Sequence, residues 1–311
     1  MRSSKVLRVI SGALAALATL AIAACGTDEK YPAGRANTAA ATGAAVGQTV
    51  TIGKSFWHAG WQVELVKATT KSAKVGRGTV VAVDAVFHNL GTETSEFDSH
   101  LLLSGGGVDA SLSPLDSDIP VVPGAGKQNG VLGFQISADF TLNNAVLTIG
   151  NPANNQAVVP FGGTGTLVTQ EPRTVPLELA GSITYPIYNK PGTIAIKVTG
   201  GELRADIPAG HNEVKKGQLA LTLRYAVTYT YADIYSYYWN DNNLLLRLPD
   251  GTTIDADLVD GVPNLKPGAT ASDLTARFLI KDPAAGNYAL ILKSNNGSTP
   301  TREIPFALTL S

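Results

Sequence analysis

Nucleophilic catalysis needs a Ser, Cys or Thr activated by a base, most often a histidine. This chain of 311 residues has four histidines, His58, His88, His100 and His211, and one cysteine, Cys25. No serine sits in a Gly-x-Ser-x-Gly elbow. His88 and His100 fall near the ends of expected strands and could meet across a sheet. Two scattered histidines with no carboxylate motif beside them are a weak metal signal, and turn or surface histidines are the simpler reading. The carboxylates offer slightly more. Asp250, Asp255, Asp257 and Asp260 crowd into DGTTIDADLVD, and Asp116 and Asp118 occupy the matching region of the first half. Calcium takes several oxygen ligands, but the Asp-x-Asp-x-Asp-Gly spacing of a dedicated loop is missing and Asp is a routine turn residue. The SGGGVD stretch from Ser104 lacks the lysine and the following helix of a phosphate loop. The expectation is a protein with no catalytic residues, no metal site and no cofactor.

Aromatic residues are the remaining concentration of chemistry. Tyr225 to Asn240, YAVTYTYADIYSYYWN, holds six of the ten tyrosines and one of the three tryptophans. From Leu219 to Tyr231 the odd positions are Leu, Leu, Leu, Tyr, Val, Tyr and Tyr, while the even ones are small or polar. Such alternation predicts a strand with one buried face, which puts Tyr225, Tyr229 and Tyr231 in the core. Beyond a bend at Ala232-Asp233, neighbours on a strand must face opposite ways. Either Tyr238 stands in solvent, or Tyr235, Tyr237 and Trp239 do, and the latter would form a stripe of rings suited to stacking on a sugar. These four residues are the candidate ligand site. A second cluster, Trp57 and Trp61 around His58, reads as one ring capping the core and one covering an edge.

The elements that must carry these residues are strands. Short alternating segments such as QVELVKAT (Gln62 to Thr69) and TIAIKVTG (Thr193 to Gly200) are separated by turn dipeptides, and no helical pattern of length follows the N-terminal segment. The sequence also repeats weakly at an offset of about 144 residues. HLLLSGGG from His100 matches NLLLRLPDG from Asn243, VVPGAGKQNGVLGFQI matches NLKPGATASDLTARFLI, NNAVLTIGN matches AGNYALILKSN, and VVPF matches EIPF. The expected fold is all-β, with two tandem immunoglobulin-like β-sandwich domains at 46–168 and 174–311 joined by TQEPRT.

The first 24 residues read as a signal peptide. Arg2, Lys5 and Arg8 precede the apolar run VISGALAALATLAIAA, which ends at Cys25. The IAAC stretch from Ile22 resembles the lipobox of bacterial lipoproteins. That resemblance implies cleavage before Cys25, lipidation of its sulfur with diacylglycerol and palmitate-type chains, and a membrane anchor facing the extracytoplasmic side. Residues 25–45, small and polar, read as a flexible tether. With a second cysteine absent from the sequence, no disulfide can form within the chain.

A strand ending VDAVFHNLGTE, then a Pro-Gly turn, then GVLGFQI is similar to the telokin-like, immunoglobulin-like domains of Gram-positive surface lipoproteins and secreted mycobacterial immunogenic proteins. The similarity covers most of 46–161 and, more loosely, 190–306, where TYTYADIY replaces the Asn-Leu-Gly turn. It implies an extracellular binding module without catalytic residues. Charged residues make up 16% of the chain and the net charge is −1, which gives no electrostatic footprint for nucleic acid. The expected function is a non-enzymatic, lipid-anchored protein whose tandem domains bind another envelope component or serve as an accessory module. The alternative is a carbohydrate- or cell-wall-binding lipoprotein that uses the second domain's aromatics.

Overall fold

The computed structural model describes residues 45–75, 78–163, 165–187, 189–258, 263–294 and 301–309. The signal segment, Cys25, the tether up to residue 44 and Asp260 lie outside the described residues.

The described residues are all-β, as the alternation and turn chemistry predict. Eight principal strands build the first half: β1 (Thr49–His58), β2 (Trp61–Ser72), β3 (Thr79–Asn89), β4 (Leu101–Gly105), β5 (Val108–Ser111), β6 (Lys127–Ile136), β7 (Val146–Ile149) and β8 (Ala157–Pro160). They form two antiparallel sheets, ordered β1-β2-β3-β6 and β8-β7-β4-β5. Phe56, Val63, Val83, Phe87 and Phe134 from one sheet meet Leu103, Leu147, Ile149 and Val159 from the other in one buried cluster. The alternation in β2 is reset by a bulge between Leu65 and Lys67. The extra residue leaves Val66 and Lys67 both outward and returns Ala68 to the core, so a lysine in an apolar strand costs nothing in burial.

The second half repeats this plan. Its strands are β9 (Leu179–Ile187), β10 (Lys190–Arg204), β11 (Gln218–Tyr231), β12 (Leu244–Arg247), β13 (Thr253–Asp255), β14 (Thr270–Lys281), β15 (Gly286–Lys293) and β16 (Thr301–Leu308). The sheets run β9-β10-β11-β14 and β16-β15-β12-β13, with Arg173–Val175 added along β10 and Asp257–Leu258 along β14. Strand for strand this is the order of the first half. The correspondence extends to a two-residue clip in each: Ser95–Glu96 pairs with Val121–Val122, and Tyr237–Tyr238 pairs with Asn264–Leu265. A second buried cluster, separate from the first, fills the space between these sheets.

The TQEPRT connection is bonded along its length. Val168 bridges Val158, the Trp57 backbone N–H donates to Thr169 O at 2.8 Å, and Gln170 Nε2 donates to Gln156 O at 2.8 Å. Arg173–Val175 then joins the second half's sheet. A segment tied on both sides limits the relative motion that a free linker would allow.

Candidate functional site

The aromatic segment divides into a core part and an exposed part. Tyr225, Tyr229 and Tyr231 are buried on the inner face of β11, where the alternation places them. Tyr237 and Trp239 are buried as well, Trp239 completely. The stripe of Tyr235, Tyr237 and Trp239 is therefore not available to a ligand, and the two buried rings are corrected from candidate binding residues to core residues. Hydrogen bonding and packing give the reason. Trp239 Nε1 donates to the Tyr225 hydroxyl at 2.7 Å, and Asn243 Nδ2 donates to the Tyr237 hydroxyl at 2.6 Å, so both polar ends have partners inside. Trp239 follows its clip as Phe97 follows the clip of the first half, and Phe97 is also a core residue. Burial, then the neighbouring Tyr237 and Tyr229, push the Tyr185 phenol far above its ordinary value, so it stays protonated and offers no base.

The exposed part is the loop after β11. Ile234 is 83% exposed, Tyr235 46% and Tyr238 60%. Scattered apolar residues on a surface are ordinary, but three within five positions make a local patch. The loop is held in shape. Asp233 accepts from the Ile234 backbone N–H at 2.8 Å and pairs with Lys190 at 3.0 Å, and these bonds, the backbone one first, hold its carboxyl below the usual range.

Sequence reasoning missed the junction between the two sandwiches, which gathers two of the four histidines. The β1–β2 hairpin turns at Ala59-Gly60, both at positive φ (46° and 78°), the geometry of a tight two-residue turn. This turn docks against a small hairpin of the second sandwich, Asp206–Ile207 paired with Asn212–Glu213. The Gly60 backbone N–H donates to Asp206 Oδ2 at 2.6 Å, and Arg204 Nε donates to Asp206 Oδ1 at 2.8 Å. His211 Nδ1 donates to Ala59 O at 3.0 Å, and its ring stacks on Trp61 with centroids 5.2 Å apart. A side chain on Gly60 would begin 2.9 Å from both His211 Nδ1 and the Pro208 backbone, so the turn needs glycine for space as well as for φ. Trp61 is thus a core and junction residue, while Trp57 is half-buried on the edge strand.

A second group of contacts lies alongside. His58, 2% exposed, donates from Nε2 to Glu213 Oε1 at 2.9 Å, and Asn154 Nδ2 donates to the other carboxylate oxygen. The Asn155 backbone N–H donates to Val214 O at 2.9 Å, and Lys216 N–H donates to Ala153 O at 3.1 Å. Burial works against the Glu213 carboxylate, but the donors Asn154 and His58, the His58 charge and the Asn151 backbone outweigh it and hold its pKa below the ordinary 4.5. A depressed folded-state pKa contributes stability that is complete above the unfolded value and is lost as pH falls through the folded one. The denaturant midpoint of the wild type should therefore fall more steeply between about pH 5 and about pH 3 than that of Glu213→Gln. Parallel curves would show that Glu213 carries no linked proton.

The other candidate groups stay apart or are already engaged. His88 lies on β3 beside Gln62, with Nδ1 3.3 Å from Gln62 Oε1, while His100 is exposed just ahead of β4 in the opposite sheet. Asp116 accepts from the Lys74 backbone and from Ser113 Oγ, Asp250 accepts from Thr252, and Asp257 pairs with Arg277. Among the described residues no three His, Cys, Asp or Glu side chains converge on a point that could hold a metal ion.

At the junction a crevice of about 220 Å³ is walled by Leu90, Gly91 and Thr92 of the first sandwich and by Arg204, Ile207 and Pro208, among others, of the second. Arg204 is 6% exposed, and its Nη2 is buried without a hydrogen-bond partner among the described residues. Leaving a buried donor unmet costs about 1–3 kcal/mol. No protein-family model matches this chain, and no curated protein matches it in sequence.

Proposed function

We propose that this chain is a lipid-anchored extracytoplasmic protein without catalytic activity, and that its two immunoglobulin-like sandwiches present a binding tip to another component of the cell envelope. The observation that carries the reading is the placement of the exposed Ile234, Tyr235 and Tyr238 loop. It follows β11 at Tyr231, the end remote from the junction, where Ala220 pairs with Arg204. Eleven further residues of strand separate the two, roughly 35 Å at the usual rise. The N-terminal end of β1 is likewise the end away from the junction, because His58 pairs with Trp61 at the turn and Thr49 with Thr69 at the far end. The N-terminal end of β1 and the exposed loop are thus each at the end of their own sandwich that points away from the junction. The bonded junction supports the same reading, since a stiff pair of sandwiches keeps the loop at a defined distance from the N-terminal end of β1.

Two results test this. Globomycin, which blocks lipoprotein signal cleavage, should leave an uncleaved membrane precursor, whereas normal maturation with release to the medium overturns the anchor. Purified chain should bind envelope fractions, and the double variant Ile234→Asp, Tyr238→Ala should lose that binding by about tenfold or more, since an apolar anchor in a contact is worth about 2 kcal/mol. Undiminished binding by the variant overturns the tip. Binding to purified cell-wall glycan that depends on Tyr235 and Tyr238 would favour the carbohydrate reading.

A further inference from the structure

The outer face of the β9-β10-β11-β14 sheet carries a trough that neither the loop nor the junction uses. Two rows of residues cross the strands there. Ser182, Ala195, Thr228 and Thr270 stand opposite one another on the four strands, and Ala180, Lys197 and Ala226 form the row beside them. With side chains this small on the floor, the surface dips to a shallow space of about 800 Å³. Across four strands its length is about 14 Å at the usual strand spacing. Among the described residues, Lys197 and Arg302 are the only charged groups on its wall. Arg302 comes from β16 to the rim at Gly181, where an added Cβ would lie 3.6 Å from Arg302 Cγ. Arg224 stands exposed on the same face, two residues along β11 from Ala226. Among the described residues none of these three cations pairs with a carboxylate. Glu202 lies beside Arg204, Glu303 pairs with Arg247, and Asp273, on the bulge of β14, is not on the wall. In a chain whose net charge is −1, this is a local excess of positive charge around one concavity.

We propose that this trough binds a flexible polyanion whose charges are phosphodiester groups, laid across the strands, as a contact separate from the exposed loop. Phosphate oxygens accept from cations and from hydroxyls, and the floor offers both. The Thr228 and Thr270 hydroxyls bond each other at 2.8 Å, which uses one of their two protons and leaves the other for a ligand. Ser182 is exposed in the same row. Lys197, Arg224 and Arg302 are exposed as well, so their charged ends are open to an incoming chain. The floor disfavours other anionic partners. None of the described lining residues is aromatic, so an acidic sugar chain finds no ring to stack on. The exposed large apolar side chains all lie elsewhere, so an anionic bilayer finds nothing to take up. An acidic peptide that extends a sheet needs a free strand edge, whereas the trough is a sheet face and its edge strand β9 carries Pro186.

Fluorescence anisotropy with the purified full chain tests the trough, using a labelled synthetic glycerol phosphate oligomer as the probe. Binding is expected at low salt with a dissociation constant on the order of 0.1 mM. With three cations engaged, counterion release gives a plot of log affinity against log salt a slope of about −2. The double variant Lys197→Gln, Arg302→Gln removes two exposed charges and should bind at least about tenfold more weakly, with the slope reduced to about −0.7. Ala226→Glu leaves all three cations in place but sets a like charge on the floor, and should abolish binding in a protein that remains folded by circular dichroism. The loop variant Ile234→Asp, Tyr238→Ala should bind the probe as the wild type does, which separates this contact from the loop. Absence of binding at low salt, or undiminished binding by either folded trough variant, would overturn the proposal. Tighter binding of polyglutamate than of the phosphate oligomer, or loss of binding in the loop variant, would overturn it too.

Discussion

Replacing Trp239 with Ala should destabilise the second sandwich by about 3–5 kcal/mol, the range for deleting a large buried aromatic. Trp239 is completely buried and its indole N–H is bonded to the Tyr225 hydroxyl, so the substitution opens a cavity and removes a hydrogen-bond donor together. The cavity would lie among Tyr225, Leu244 and their neighbours in the second core. Domain stabilities are commonly only about 5–15 kcal/mol, so the loss is a large part of the total. Trp239→Phe keeps much of the volume and loses the N–H, and should cost about 1–2 kcal/mol. Tyr238→Ala, one position away, removes a ring that is 60% exposed and should change stability by no more than about 0.5 kcal/mol. Scanning calorimetry of the three variants checks the order. Were Trp239 a ring that stacks on ligands, Trp239→Ala would instead leave the transition where it is.

The second large effect belongs to Asp206. Asp206→Ala should cost about 3–5 kcal/mol, because it leaves the buried Arg204 charge without its close partner. It also removes the acceptor of the Gly60 N–H, one of the bonds that dock the first sandwich on the second. The consequence should therefore be mechanical as well as energetic. Spin labels at exposed positions in the two halves, Val66 and Leu279, should report a narrow distance distribution in the wild type and a broader one in Asp206→Ala. Asp206→Asn retains an oxygen acceptor but not the charge, and should fall between them. A distribution unchanged by Asp206→Ala would mean that the junction is held without this residue.

The strands and the inward face of β11 were legible because alternation is a local signal. Leu221, Leu223, Tyr225, Val227 and Tyr229 each obey it, and each is buried. The fate of Trp239 was less accessible. Alternation stops at the Ala232-Asp233 bend, and what decides the orientation is the clip between Tyr237–Tyr238 and Asn264–Leu265, a pairing across more than twenty residues that include β12 and β13. The internal repeat carried the missing information, since extending it through Phe97 reaches the neighbourhood of Trp239.

The junction was not legible at all. His58 and Glu213 are separated by 155 positions, Gly60 and Asp206 by 146, and Ala59 and His211 by 152. No local pattern joins residues that far apart. Each looks ordinary in its own segment: a histidine before a turn, an aspartate in a short hairpin. One hint was present. Ala59-Gly60 separates two clear strands by two residues, which fixes a tight turn, and turns at sandwich ends are where neighbouring domains meet.

The claim that the loop after β11 is the partner-facing end can be read out directly in intact cells. A photo-crosslinking amino acid placed at position 238 should yield a discrete adduct of higher mass on illumination, while the same group at position 279, on an exposed strand position, should yield none. No adduct at 238, or the same adducts at both positions, would contradict the account.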